Sequence, residues 1–412
     1  MSNDLTNPNG LPPNKLECVV EALTFNTVPV IEKHIKKQHR EWYYPVSLND
    51  SSSVVNFVIP GDPQYINLGM CFYEVFYTIQ TAAGVDLPDF DEPTPTSNGR
   101  SKAVAPVNNI SSSMFLNVDI RLNKMSLSDN FLTYPWKSFF ETELNYGDEA
   151  AESKLWMQGY VRNKADYAPK PCADNSPASA MKTRALWTKN SKKKRVINHV
   201  FHGICHQPRL LLPMTDMEFV FTKAPSDLCL ISNDTKPEYK IKITSMRFAI
   251  IKVDVLDSTK NDLEMQFVKE PALYPMTWSF CRPFSIPKTV KEFTAENIFG
   301  TSKLPERALI TLLPESAYIG DPKKSCFEFA HHELRHLSLS SEGTLYPTPM
   351  GFTNMEFGDS KEGEDYLFPY LALFDNDLRS DQGSHITYEM FAKGWAIYNF
   401  DFGRFLNLNN DH

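Results

Sequence analysis

The sequence predicts an all-β chain of the sandwich kind with a few short helices. Three observations lead there. Aromatic residues make up 12% of the chain and 29 residues are proline, a pairing that suits aromatic-bearing strands separated by turns. Short strand-like runs recur from Glu41 to Ile231. The stretch from Met114 to Leu122 alternates strictly, with Met114, Leu116, Val118, Ile120 and Leu122 on one side and Phe115, Asn117, Asp119 and Arg121 on the other. Period two is the signature of a strand with one buried face. At 412 residues the chain is long enough for two domains with well-buried cores.

In chain order, residues 1–40 read as an N-terminal arm, polar at first and then basic over Lys33-His-Ile-Lys-Lys-Gln-His-Arg40. A first domain is expected over 41–231. Val54–Ile59 is a strand closed by Pro60-Gly61, and Met70–Ile79 is apolar enough for a strand covered on both faces. Residues 82–104 and 165–195 read as polar insertion loops. Between them Thr133 can cap a helix, Pro135 suits its first turn, Trp136, Phe139, Phe140 and Leu144 share one face, and Gly147 is placed to stop it. Strands resume at Val196–Phe201 and Met217–Thr222. The segment 232–238, Ser-Asn-Asp-Thr-Lys-Pro-Glu, is the linker expected before a second domain over 239–412. That domain opens with Tyr239–Val255, whose apolar phase changes near Ile250 and predicts a bulge there. Further strands are expected at Trp278–Ile286, Arg307–Leu313, Cys326–Ser340 and Ala396–Phe402, with a short helix over Tyr388–Lys393 between Thr387 and Gly394.

Composition narrows the function. A net charge of -8 argues against a surface that coats nucleic acid throughout, though not against a local basic patch. The seven cysteines are scattered, with no C-x-x-C pair, which fits buried thiols in a reducing compartment better than a disulfide framework or a zinc site. The N-terminus lacks the apolar stretch of a signal peptide, and no run of 18 apolar residues is present to span a membrane.

One motif tempts an enzymatic reading. His332-Glu333-Leu-Arg-His336 fits H-E-x-x-H, the spacing that puts two zinc ligands on one helical face with a glutamate as general base. Arg335 would set a cation beside the metal, the flanks Phe327–Ala330 and Leu337–Ser340 alternate as strands do, and no third ligand stands out beyond Glu342 or Asp359. We therefore read the motif as a polar strand stretch, with no metal, cofactor or catalytic residue expected. Glu141 and Glu143 read as the solvated face of their helix, and His199, His202 and His206 as structural histidines. The run Lys192-Lys193-Lys194-Arg195 has two readings: a solvated loop, or a compact patch for nuclear import or nucleic-acid contact.

A resemblance adds to this. Pro45-Val-Ser, Val54-Val-Asn-Phe-Val-Ile-Pro-Gly-Asp62 and Tyr65-Ile-Asn-Leu are similar to the opening of the major capsid proteins of Polinton/Maverick elements. Val107–Leu122 and the block Tyr134-Pro-Trp-Lys-Ser-Phe-Phe-Glu-Thr-Glu-Leu-Asn-Tyr-Gly147 resemble the next part. Leu210-Leu-Leu-Pro-Met-Thr-Asp-Met-Glu-Phe, Tyr274-Pro, Leu304-Pro-Glu-Arg307 and Ala392-Lys-Gly-Trp-Ala-Ile-Tyr-Asn-Phe-Asp401 follow in the family's order. The likeness runs from about Pro45 to Phe405. It implies a double jelly roll of the lineage that includes adenovirus hexon and virophage capsomers, hence a homotrimer, pseudo-hexagonal and tiling an icosahedral capsid. It further implies neighbouring capsomers and a penton-type minor capsid protein as partners, packaged DNA inside, and a place in the virion after assembly in the host nucleus or cytoplasm. The family has no catalytic residues to carry over. The rival readings are a jelly-roll carbohydrate-binding module and the H-E-x-x-H zinc peptidase.

Overall fold

A computed structural model describes residues 34–87, 104–128, 131–162, 180–232, 234, 238–300, 305–341, 343–347, 351–358, 365–374 and 386–402. Most of the expected arm, the middle of the linker and large parts of both insertion loops lie outside these residues. The chain is mostly β, with several antiparallel sheets and short helices.

The strands of the first half are β1 (Ile35–Tyr43), β2 (Val54–Ile59), β3 (Tyr65–Ile66), β4 (Phe72–Thr81), β5 (Val104–Pro106), β6 (Phe115–Leu122), β7 (Met125–Ser126), β8 (Lys194–Asn198), β9 (Met217–Lys223), β10 (Leu230–Ser232) and β11 (Tyr239–Val255). One sheet runs β1-β11-β4-β8, with β3 also on β11, and the other runs β2-β9-β6-β7. The chain moves between the two sheets as it proceeds, the eight-stranded jelly-roll pattern of two Greek keys. Their inner faces meet in a cluster of aromatic rings. Phe57 of β2 and Phe221 of β9 are 5.8 Å apart, Phe219 stacks on Phe248 of β11 at 4.5 Å, and Tyr73 of β4 lies 5.2 Å from Phe221. All five rings are buried.

Several local expectations change. The end of the expected arm is β1, paired within its own chain. β11, expected to open the second domain, is a strand of the first sheet, with Met246 opposite Val75 and Phe248 opposite Tyr73. It lies between β1 and β4, so without it the sheet would be split. Its bulge lies between Ile243 and Ser245, not near Ile250. From Ala249 to Val253 every side chain is buried, so the change of apolar phase reflects cover on both faces. In β6 a register shift between Phe115 and Asn117 turns Phe115 inward, against the plain alternation, and leaves Leu116 half-buried. The expected loop 165–195 contains the helix Ala180–Trp187, with Ala180, Met181, Arg184 and Ala185 buried.

The helix Tyr134–Asn145 forms where predicted. Thr133 holds the N-cap position without a side-chain cap, and its hydroxyl donates to Cys281 O at 3.3 Å. This helix joins the roll to the second half. Phe139 stacks on Phe327 at 4.1 Å, Phe140 on Phe329 at 5.3 Å and Trp136 on Tyr318 at 4.7 Å, while the Trp136 indole N–H donates to Cys326 O at 3.0 Å.

The second half carries β12 (Arg307–Ile310), β13 (Leu339–Ser341), β14 (Thr344–Tyr346) and β15 (Tyr398–Asp401), paired β12–β15 and β13–β14. Its helix Tyr388–Ala392 starts on Thr387, whose hydroxyl accepts from Met390 N. Trp278–Ile286, expected as a strand, has no regular structure. Pro283 removes a ladder donor within it, and Pro287 another directly after it.

Val253–Ala272 groups with His34–His39, among the described residues, as a separate compact unit. Within it the helix Asp257–Phe267 follows β11, Leu256 N donates to His34 O at 3.0 Å, and His34 Nδ1 lies 3.1 Å from Thr259 Oγ1.

Candidate functional site

The H-E-x-x-H residues do not form a helical pair. His332 and Glu333 form a turn with φ of 48° and 54°, and two consecutive left-handed residues reverse the chain. The continuous strand expected over Cys326–Ser340 is broken by that turn into bridges at Phe329 and Leu337 before β13 begins. His332, Glu333 and His336 are exposed. His336 Nδ1 accepts from Asn354 N at 3.5 Å and His331 Nδ1 from Glu333 N at 3.0 Å. Among the described residues no group of three His, Cys, Asp or Glu is placed to hold a metal ion, and no helix is long and apolar enough to cross a membrane.

The carboxylates of the helix Tyr134–Asn145 are not on a solvated face. Glu143 is fully buried and accepts from the Tyr160 hydroxyl at 3.2 Å. Glu141 is half-buried and its pKa is pushed up by burial, with Lys137 opposing. The reason is what packs around the helix: Tyr160 covers Glu143, and Ser279 and His206 lie beside Glu141. The three histidines gather beside it. His199 and His206 rings are 5.4 Å apart, and His206 Nδ1 is 3.8 Å from Glu141 Oε2. His202 Nδ1 accepts from Ile204 N at 3.2 Å and its Nε2 lies 3.1 Å from Leu127 O, which assigns the neutral ring with its proton on Nε2. Thr277, Trp278 and Ser279 line a small cavity with His202, and the Trp278 ring lies 6.2 Å from the His202 ring. Burial lowers His199 and His202 to about 4, helped by His206 on the first and Lys137 on the second.

The basic run is not one patch. Lys194 and Arg195 begin β8, and successive side chains of a strand point to opposite faces. Lys194 Nζ sits 4.2 Å from the Trp187 ring. Lys193 Nζ and the Arg195 guanidinium lie 4.7 and 5.7 Å from the Phe76 ring of β4. Arg195 pairs with Glu74 Oε1, while Arg247 Nε donates to Glu74 Oε2 at 2.5 Å. Glu74 itself is 0% exposed. Arg247 lies 4.0 Å from the Trp42 ring, and Arg40 4.9 Å from Phe72, whose ring meets Trp42 edge-on at 5.7 Å. Four strands thus build a cationic face that the sequence reading missed. Its one sequence signal is Glu74, a lone carboxylate inside the apolar run of β4.

No family model matches the chain. An uncharacterized protein of Caenorhabditis elegans is 25% identical over 352 residues, covering 84% of this chain and 79% of that protein. Among solved structures, a chain of the Sputnik virophage is similar with a TM-score of 0.40 and 15% identity, over 62% of this chain and 55% of that one. The mavirus major capsid protein is similar with a TM-score of 0.32 and 12% identity, over 57% and 49%. The matched region spans about half the length of each of these two viral chains.

Proposed function

We propose that the chain is a major capsid protein whose copies associate in threes into pseudo-hexagonal capsomers of an icosahedral shell. The observation that carries the reading is where the family-like blocks fall. Val54–Asp62 contains β2, Val107–Leu122 contains β6, Tyr134–Gly147 contains the helix between the halves, Leu210–Phe219 enters β9 and Ala392–Asp401 contains β15. The blocks that resemble the Polinton/Maverick capsid proteins are the framework of a jelly roll and of the element that joins it to the second half. In this reading residues 273–402 supply the second roll.

A second observation supports assembly. Leu273, Trp278, Phe284, Ile286, Val290 and Phe293 are all exposed, Leu273 by 70% and Trp278 by 51%. They fall within one irregular segment. Apolar side chains concentrated in this way mark a surface that a partner covers, and a second copy is the partner proposed. A contact of this kind between unlike faces must close into a ring or grow without limit, and three copies close it. Negative-stain electron microscopy of the expressed protein tests the reading. Three-fold tiles or closed shells are expected; a field of single small particles at every concentration would overturn it.

A further inference from the structure

The cationic face over β1, β11, β4 and β8 is the part of the molecule that the shell reading leaves unused. We propose that this face binds the phosphate backbone of nucleic acid through Arg40, Lys193, Arg195 and Arg247. The phosphate site does not depend on the shell reading; only the identification of its ligand with a packaged genome rests on it.

The face is built rather than incidental. Arg40 stands on β1, Arg247 on β11 and Arg195 on β8, with Lys193 just before it. With strands about 4.8 Å apart, a row crossing four of them spans roughly 14 Å. Each cation lies near an aromatic ring: Arg40 by Phe72, Arg247 by Trp42, and Lys193 and Arg195 by Phe76. A guanidinium held against a ring keeps its N–H edges free for an oxyanion and has less rotamer freedom to lose on binding. Glu74 ties Arg195 and Arg247 from beneath. Because that carboxylate is wholly buried, it fixes the two guanidiniums without offering an anion at the surface. Arg195 remains 52% exposed, and Arg40 and Lys193 are exposed as well.

The chemistry favours phosphodiester over an acidic protein surface. Arg and Lys together make the main contacts to phosphate oxygens, and Lys193 is of a residue type depleted in protein–protein interfaces, where arginine is enriched. The rings are already occupied by cations, so bases cannot stack on them. The contact is therefore with backbone and independent of sequence.

The test is binding of a short mixed-sequence DNA duplex to the full chain across a salt series. The variant pair is Arg40→Gln with Lys193→Gln, since neither residue touches Glu74. The control pair, Lys288→Gln with Lys291→Gln, removes the same charge from an exposed segment elsewhere. The slope of log Kobs against log salt is expected to shrink by about 1.8 in the Arg40/Lys193 pair, at about 0.9 for each lost phosphate contact, and to stay unchanged in the control. No DNA binding by the wild-type chain at low salt would overturn the proposal. So would equal slope changes in both pairs, or tighter binding of polyglutamate than of DNA. Particle assembly is a separate readout, so failure of the shell reading cannot be mistaken for failure of this one.

Discussion

The two halves of the chain treat their apolar residues differently. In the first, Phe57, Tyr73, Phe115, Phe219, Phe221 and Phe248 meet between two sheets and none is open to solvent. In the second, Phe352, Tyr398 and Phe400 are buried around β15, but the segment 273–293 leaves large apolar side chains in water. A jelly roll closes its own core by packing sheet on sheet. The two-stranded ladders β12–β15 and β13–β14 close little surface by themselves, and it is Phe327, Phe329 and Trp395, outside those ladders, that pack on Phe139 of the helix Tyr134–Asn145. The difference teaches that the first half buries its ring cluster between its own two sheets, while the second leaves a run of large apolar side chains exposed along one irregular segment.

The largest effect expected from breaking this comparison is in the first core. Phe221→Ala removes a ring that touches Phe57, Tyr73 and Phe115 and should destabilise the chain by about 3–5 kcal/mol, read as a lower urea midpoint at unchanged slope. A loss under about 1 kcal/mol would mean that the sheets are not packed as described.

Acid probes the seam between the halves. The folded state holds His199 and His202 neutral down to about 4, against an ordinary 6.5. A histidine pKa lowered by folding contributes stability above 6.5, and that contribution is lost as pH falls from 6.5 toward 4, because the unfolded chain binds the proton first. Between pH 7 and pH 5 stability should fall by about 2 kcal/mol for each of the two. Glu141, whose pKa is raised, acts in the opposite sense and softens the fall. Denaturant midpoints measured across this range should show a flatter decline in His199→Phe. The same steepness in that variant would assign the acid sensitivity elsewhere.

Smaller again is the effect of Phe284→Ser with Phe293→Ser on the single chain. Both side chains are exposed, so its stability should change by less than about 0.5 kcal/mol, while association weakens. A stability loss as large as that of Phe221→Ala would show the segment to be buried core. The mildest test is thiol chemistry. Burial pushes Cys71 and Cys326 up to about 12 and raises Cys205 and Cys229 further, so these four should resist alkylation in the folded protein. Cys281, half-exposed, should react first among the five described cysteines. Mass spectrometry after brief labelling separates them.

How far the sequence could be read follows the same division. β2, β6, β9 and the helix Tyr134–Asn145 carry their pattern locally, in alternating residues or in one helical face with a proline in its first turn. β11 was legible as a strand but not as a member of the first sheet, since its partners lie on β4 more than 150 residues earlier in the chain. Trp278–Ile286 has the apolar content of a strand, but no ladder partner for it is found among the described residues. Glu143 reads as solvated because helical spacing cannot show that Tyr160, further along the chain, closes over it. The basic run was visible as four adjacent residues, yet strand geometry divides it. Its real companions, Arg40 and Arg247, reach it only through the folded sheet.

Light scattering of the purified full chain bears most directly on the claim that a second copy finishes what one chain leaves open. Three chains of 47.1 kDa give about 141 kDa, and a stable species of that mass is expected, dissociating in the Phe284→Ser, Phe293→Ser variant. A single species of 47.1 kDa that persists at micromolar concentration, with no larger particle in equilibrium, would contradict the account.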